Sequence, residues 1–153
     1  MRNQKKLVLE QLDRKLSAFY DMGKIQIPEK GWIRSIRTAL NMTLEQFGNK
    51  MGMTKQGAKK IEASESSASI SLKSLKEVAR VLDLSFVYAF VPNAGSFEKM
   101  VEEKSRHLAK KIVLRANQNM LLEDQSMKEE RIESAIEELS QEIKREMRRS
   151  IWD

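Results

Sequence analysis

A short stretch in the first half of the chain, Thr43–Glu62, has the signals of two helices joined by a tight turn. Thr43 is a suitable N-cap for the first helix, and Gln46, three residues later, completes a capping box. Gly52 follows the last apolar position of that helix, where the backbone needs a residue that tolerates positive φ. Thr54 is a suitable N-cap for the second helix. The succession of start, stop and start predicts a compact pair of helices.

The second helix of this pair has an inner and an outer face. Ala58 and Ile61 repeat at helical spacing and are predicted to point inward, which leaves a polar and basic face outside. Gln and Lys are residue types that contact base edges and phosphates in a major groove. An ordinary helical hairpin with solvated lysines is the alternative, but both caps, the glycine turn and the basic face coincide here. The predicted base contacts are Lys55, Gln56, Lys59 and Lys60.

The stretch Arg37–Glu62 resembles the helix-turn-helix of the Xre/Cro-type, lambda-repressor-like family. This resemblance implies an ion pair between Arg37 and Glu62, and it makes the second helix the DNA-recognition helix. Two positions depart from the family pattern: Leu44 stands where the family often has a phosphate-contacting Gln, and Gly57 lies inside the recognition helix, where it costs about 1 kcal/mol relative to Ala. The matching residues are Arg37, Thr43, Phe47, Gly48, Gly52, Thr54, Ile61 and Glu62.

A narrower resemblance extends from about Pro28 to Gln125, to the family called mobile mystery protein A. These are bacterial helix-turn-helix proteins found beside a Fic/Doc-domain partner, so the resemblance implies an antitoxin-like or autoregulatory role and a possible Fic/Doc-type partner. A Fic-inhibitor motif, Ser or Thr followed four residues later by Glu and then Gly or Asn, does not occur. The matching segments are Gly31–Arg37, Ile70–Leu72 with Leu75, Leu82–Leu84, Val87–Pro92 and Met120–Gln125.

Several residues around the helix pair are candidates for contacts to the DNA backbone. Arg34 lies in a helix predicted over Gly31–Asn41, although a solvated surface arginine is nearly as plausible. The serine-rich segment Ser64–Ser69 is predicted as a loop whose hydroxyls and amides bind phosphate, or simply as a loop. In the family, the start of the next helix, here Leu72–Leu82, approaches the DNA backbone. The predicted phosphate contacts are Arg34, Thr43, Thr54, Ser66, Ser67, Lys73 and Lys76.

The segment Ser85–Val91 changes character, because β-branched and aromatic residues dominate it and Pro92 ends it. We predict a short strand here. A single strand needs a hydrogen-bonded partner, so we expect it to pair with the same strand of a second subunit, giving a homodimer, as similar antitoxins do. The alternative is that this run is the last core helix of the domain. The predicted dimer strand consists of Phe86, Val87, Tyr88, Ala89, Phe90 and Val91.

The remaining patterns complete a mainly α fold. We expect an N-terminal helix (1–24) that packs on the domain or forms a separate arm, a lambda-repressor-like helix-turn-helix domain with its terminal strand (28–92), and a C-terminal helical region (96–153). The last helix, predicted from Met127 to Ile151, has a narrow apolar stripe suited either to docking on a neighbouring helix or to binding a partner.

Composition limits the function classes. The net charge of +6 favours an acidic partner such as double-stranded DNA, although it could also serve solubility alone. The absence of cysteine excludes disulfides, thiol nucleophiles and cysteine zinc sites, and the single histidine, His107, is a poor metal or catalytic candidate. We therefore expect no enzyme, no cofactor and no metal. No apolar run is long enough for a membrane span and no secretory signal is seen, so we expect a cytoplasmic protein.

Two functions remain open from the sequence. The first is an antitoxin-type transcriptional autorepressor that binds an inverted-repeat operator as a dimer. The second is an antitoxin-like module that holds a Fic/Doc-type partner through its C-terminal helices, with DNA binding secondary.

Overall fold

The computed structural model describes residues 2–122 and 128–153, and within these ranges it is mainly helical. The predicted start of the last helix, at Met127, lies outside the described residues. Two 3₁₀ segments, Ser17–Lys24 and Arg149–Trp152, follow the first and last helices. The α-helices of the described chain are α1 (Arg2–Leu16), α2 (Trp32–Ala39), α3 (Leu44–Met51), α4 (Lys55–Ser66), α5 (Leu72–Val81), α6 (Phe97–Leu122) and α7 (Glu129–Glu146). None of these helices is both long and apolar enough to cross a membrane.

The chain forms two compact units, each with its own apolar core. The α2–α5 unit comprises Lys24–Tyr88, and the α6–α7 unit comprises the residues up to Gly23 together with Ala89–Asp153. The N-terminal helix therefore belongs to the same unit as the C-terminal helices.

The core of the α2–α5 unit is built from one or two apolar side chains of each helix. Phe47 of α3 and Ala58 of α4 are completely buried, as their helical spacing predicted. Ser71 caps α5 by accepting a hydrogen bond from the backbone N–H of Ser74 at 3.1 Å, also as predicted. The buried core residues are Ile33, Phe47, Ala58, Val78 and Leu82.

The α6–α7 unit contains an antiparallel pair of helices, α6 and α7. Lys144, near the end of α7, lies 3.0 Å from Glu102 and 3.6 Å from Glu98 at the start of α6, whereas Arg106 bonds Glu137 at 2.7 Å. Burial alone would lower the pKa of Lys144, but these two carboxylates outweigh it, so its pKa is raised.

The apolar stripe of α7 is used inside this unit. Its central residues, Ile136 and Ile143, are buried in the core with residues of α6, and Ile132, Leu139 and Met147 pack against that core. This confirms the docking interpretation of the stripe, because a side chain buried within the chain is not available to a partner.

The segment 85–92 is neither helix nor strand. The alternative of a last core helix is therefore wrong. The predicted strand is unconfirmed, since a strand is defined by a hydrogen-bonded neighbour and no backbone group of residues 86–91 is bonded to another part of the described chain. Pairing across a dimer stays a prediction.

A carboxylate of α1 holds the start of α6. Asp13 accepts hydrogen bonds from the backbone N–H groups of Phe97 at 2.7 Å and Glu98 at 3.1 Å, and a further one from the Tyr20 hydroxyl. Burial alone would raise the pKa of Asp13, but these hydrogen bonds outweigh it and the pKa lies below its usual value. Burial, the bond to Asp13 and its charge raise the pKa of Tyr20 to about 12, so the phenol remains a donor at neutral pH.

We predict that Asp13→Ala frees the first turn of α6. Amide-exchange protection at Phe97 and Glu98 should fall by the equivalent of about 1 kcal/mol, because two helix N–H groups lose their acceptor. Since the folded pKa of Asp13 is depressed, its stabilisation is complete above the ordinary Asp range and is lost as the pH falls through the folded pKa. NMR protection factors measured from pH 7 to pH 2 test this, with Asp21→Ala, at an exposed position of the same unit, as control. If acidification lowers amide protection at Phe97 and Glu98 as much in Asp13→Ala as in the wild type, Asp13 is not the group responsible, and the prediction is contradicted.

Candidate nucleic-acid interface

The α3–turn–α4 segment has the caps and the turn that the sequence predicted. The Thr43 hydroxyl accepts from the Gln46 N–H at 3.1 Å, and the Gln46 side chain accepts from the Thr43 N–H at 2.9 Å, which completes the capping box. Gly52 ends α3 with a φ of +68°, and Thr54 caps α4 by accepting from the Gly57 N–H at 3.1 Å. These local bonds fix where α4 begins.

Small residues let the two helices and their turn approach closely. A Cβ atom at Gly48 would lie 3.0 Å from the carbonyl oxygens of Met53 and Thr54, so this glycine packs against the turn itself. A Cβ at Gly57 would lie 3.2 Å from the sulfur of Met53. Gly57, which is unfavourable by helix propensity, therefore makes room for a side chain of the turn.

The structure brings Arg37 of α2 and Glu62 of α4 together in a buried ion pair. The guanidinium Nε and one terminal nitrogen donate to the two carboxylate oxygens, the second at 3.3 Å. Its remaining terminal nitrogen donates to the Met42 carbonyl at 2.8 Å. One side chain thus links α2, the segment that leads into α3, and α4.

A second link between α2 and α4 was missed by sequence reasoning. The carboxylate of Glu65 accepts from the backbone N–H of Ile33 at 3.1 Å and from that of Trp32, and so caps α2. The residue at the N-cap position, Gly31, has no side chain to do this, and a Cβ there would lie 2.8 Å from Glu65. No local spacing could reveal this cap, because its donors lie more than thirty residues before the acceptor.

The outward face of α4 is exposed and basic. Lys55, Gln56, Lys59 and Lys60 are all exposed, and none of the three lysines has an ion-pair partner within residues 2–122 and 128–153. The α2–α5 unit contains eleven lysines and arginines and six acidic residues, so it carries a net charge of +5 out of the +6 of the whole chain. The structure therefore places the predicted base contacts on one accessible surface of a strongly basic unit.

Five of the predicted phosphate contacts lie at exposed positions on α2, α5 and the two caps. Lys73 and Lys76 are free of acidic partners in the described chain, whereas nearby Arg80 is held by Glu77. The threonine hydroxyls accept bonds as caps and retain a proton to donate. These exposed residues are Arg34, Thr43, Thr54, Lys73 and Lys76.

The expected serine-rich loop is partly wrong, because α4 continues through Ser66. In this last part of α4 the Ser64 hydroxyl donates to the Ile61 carbonyl at 2.7 Å, and Glu65 is held by its bonds to the start of α2, which favours the helical position of Glu65. The hydroxyl of Ser66 donates to the Glu29 carbonyl at 3.4 Å, and that of Ser67 to the Ser64 carbonyl at 3.3 Å. Both hydroxyl protons are thus directed at protein acceptors rather than outward.

Residues 33–88 match the family model described as Helix-turn-helix, of the Xre/Cro-like type. The match runs from the second residue of α2 through α5 and the residues that follow as far as Tyr88. No curated protein and no solved structure gives a significant match to the chain. The chain thus carries a helix-turn-helix domain of the kind found in DNA-binding transcriptional regulators. The narrower resemblance to mobile mystery protein A is not shown by these comparisons.

We predict strong coupling within the Arg37–Glu62 pair. Arg37→Met and Glu62→Leu should each lower the free energy of unfolding of this unit by about 3–5 kcal/mol, because each leaves a buried charge unpaired, while the double variant should cost much less than their sum. Urea unfolding followed by Trp32 fluorescence, in a Trp152→Phe background, measures the free energy of unfolding of the wild type, both single variants and the double variant, which together form a double-mutant cycle. The exposed pair Glu77–Arg80 is the control and should show little coupling. Additive losses at Arg37 and Glu62 would contradict the prediction.

Proposed function

We propose that the protein is a sequence-specific transcriptional regulator in which α4 enters the major groove of DNA. The observation that carries this is the exposed basic face of α4, whose lysines have no ion-pair partner among the described residues, on a helix fixed by the Thr54 cap, the bonds of Glu65 to α2 and a buried ion pair. Lysine and glutamine side chains on such a face donate hydrogen bonds to base edges, and a glutamine also accepts one. The proposed base contacts are Lys55, Gln56, Lys59 and Lys60.

Backbone contacts orient the domain in this proposal. Lys73 and Lys76 at the start of α5, and Arg34 on α2, are exposed cations suited to phosphates on either side of the groove. Thr43 and Thr54 add hydroxyl donors at the starts of α3 and α4. Because the hydroxyls of Ser66 and Ser67 already donate to carbonyls, the proposal relies on the cations and the threonines instead.

A homodimer that binds an inverted repeat is the finer proposal. Residues 86–91 have backbone groups without hydrogen-bond partners in the described chain, and Val87, Tyr88 and Phe90 are 66%, 58% and 80% exposed, which gives three large apolar side chains within four residues. Pairing of this segment with its copy would satisfy those groups and cover that apolar surface. Two recognition helices about 34 Å apart then require half-sites one helical turn apart.

The biological role follows the narrower resemblance. We infer an autorepressor of antitoxin type, which binds an operator in its own promoter and excludes polymerase, beside a Fic/Doc-type partner. Binding, not catalysis, is its proposed mode of action. Capture of that partner through the C-terminal helices is the second possibility, but the apolar stripe of α7 is already buried in its own unit, so the partner would need another surface.

The test is binding to labelled DNA from the region upstream of the gene, beside a scrambled duplex, at several salt concentrations. We expect the protein to prefer the upstream DNA by on the order of 10³ at physiological salt. Lys59→Ala with Lys60→Ala should abolish this preference, whereas Lys24→Ala with Lys30→Ala, an equal charge change at exposed positions of the same unit, should keep it. Equal, steeply salt-dependent binding to both duplexes would mean that charge alone acts and would refute the regulator proposal.

The dimer is tested separately by sedimentation equilibrium. We expect the wild type at twice the 17.7 kDa mass of one chain and Val87→Asp with Phe90→Asp at the single mass, because charges on the paired segment oppose pairing. Leu7→Asp with Val8→Asp is the matched control, since these α1 side chains are also exposed and apolar. A dimer that survives the first pair of substitutions, or is lost equally with the second, would rule out the segment as the interface.

A further inference from the structure

The long helix α6, which belongs to the α6–α7 unit, has a row of cationic and imidazole side chains. Lys104, His107, Lys111 and Arg115 recur at intervals of three, four and four residues, so they lie on one face of the helix. At 1.5 Å per residue, this cationic row spans about 16 Å. All four side chains are exposed.

The cationic row borders an open groove between α6 and the 3₁₀ segment Arg149–Trp152. The groove has a volume of about 540 Å³, and Leu108, Ile112 and Ile151 contribute apolar side chains to it. Asp153 is the one acidic residue among the described residues that line it. The groove is therefore concave and predominantly cationic.

Three cations of the same unit are paired with glutamates, whereas the lysines and the arginine of the row have no such pair within the described residues. Arg106, Lys144 and Arg148 each form two ion pairs with glutamates. By contrast, Lys104, Lys111 and Arg115 have no ion-pair partner within the described ranges. Within the described ranges no carboxylate neutralises these three cations, so they are available to an external polyanion.

We propose that the cationic row binds the phosphate backbone of duplex DNA, as a second contact surface that adds to the DNA-binding function proposed above and rests on it. Duplex DNA carries one negative charge per about 1.7 Å of its axis with both strands counted, so a row of cations that lies along a strand faces several phosphates. Long lysine and arginine side chains need no fixed register for such contacts. The surface would add affinity and salt dependence without sequence preference, since it contacts no base edge.

The test compares two triple variants of the full chain on the scrambled duplex, as a function of salt. Lys104→Gln, Lys111→Gln, Arg115→Gln should reduce the slope of log affinity against log salt by about 2 to 3, because each lost phosphate contact removes about 0.9. Lys5→Gln, Arg14→Gln, Lys15→Gln on α1 is the control, with the same charge change at exposed positions of the same unit. Its slope should stay at the wild-type value.

Each other outcome overturns the inference. Equal slopes for both triple variants would mean that only net charge matters, and a wild type that does not bind the scrambled duplex has no such surface. If the first variant keeps its DNA slope but loses affinity for polyglutamate, the row binds an acidic protein segment instead. Failure of the regulator proposal would be seen in a different measurement: the wild type would not prefer the upstream DNA to the scrambled duplex. The salt slope on the scrambled duplex alone does not depend on that preference.

Discussion

The buried ion pair between Arg37 and Glu62 is the constraint on which the helix-turn-helix domain depends. A guanidinium removed from water needs partners for its donors, and here they come from two different parts of the chain: the Glu62 carboxylate on α4 and the Met42 carbonyl before α3. Any displacement of α4 from α2 would leave both charges unpaired in an apolar surrounding. The basic outer face of α4, whose lysines have no ion-pair partner in the part of the chain that the structure describes, can therefore stay exposed, because the position of the helix is set by its inner face.

Bonds between near neighbours could be predicted from the sequence, while bonds between distant residues could not. The caps at Thr43, Thr54 and Ser71 each bond a backbone N–H three residues away, so the spacing itself carries the signal. The carboxylates of Asp13 and Glu65 likewise accept hydrogen bonds from the first N–H groups of α6 and α2, but these donors lie 84 and 32 residues away in the sequence. Nothing in a single sequence marks such acceptors, and the Arg37–Glu62 pair was expected only because a family resemblance supplied it.

The remaining discrepancies have the same origin. The serines after α4 were expected in a loop by composition, but tertiary hydrogen bonding of Glu65 favours the helix through Ser66. The segment 86–91 has strand-like composition but forms no strand with the residues that the structure describes, since the composition of a segment says what it can pair with and not where the partner lies. Residue patterns thus predicted the basic outer face of α4, whereas the bonds of Glu65 that hold this helix against α2 are seen only in the structure.

The position of Glu65 has a consequence for recognition. Its carboxylate sits near the end of α4 and satisfies the first N–H groups of α2, so tilting α4 would uncap another helix of the same domain. The helix is therefore preorganised: it meets a ligand in the orientation that it keeps afterwards, and little conformational entropy is lost on association. In the proposed complex with DNA, such a domain would discriminate by fit to a preformed surface, and the adjustment that a poor site demands would fall on the shape of the DNA.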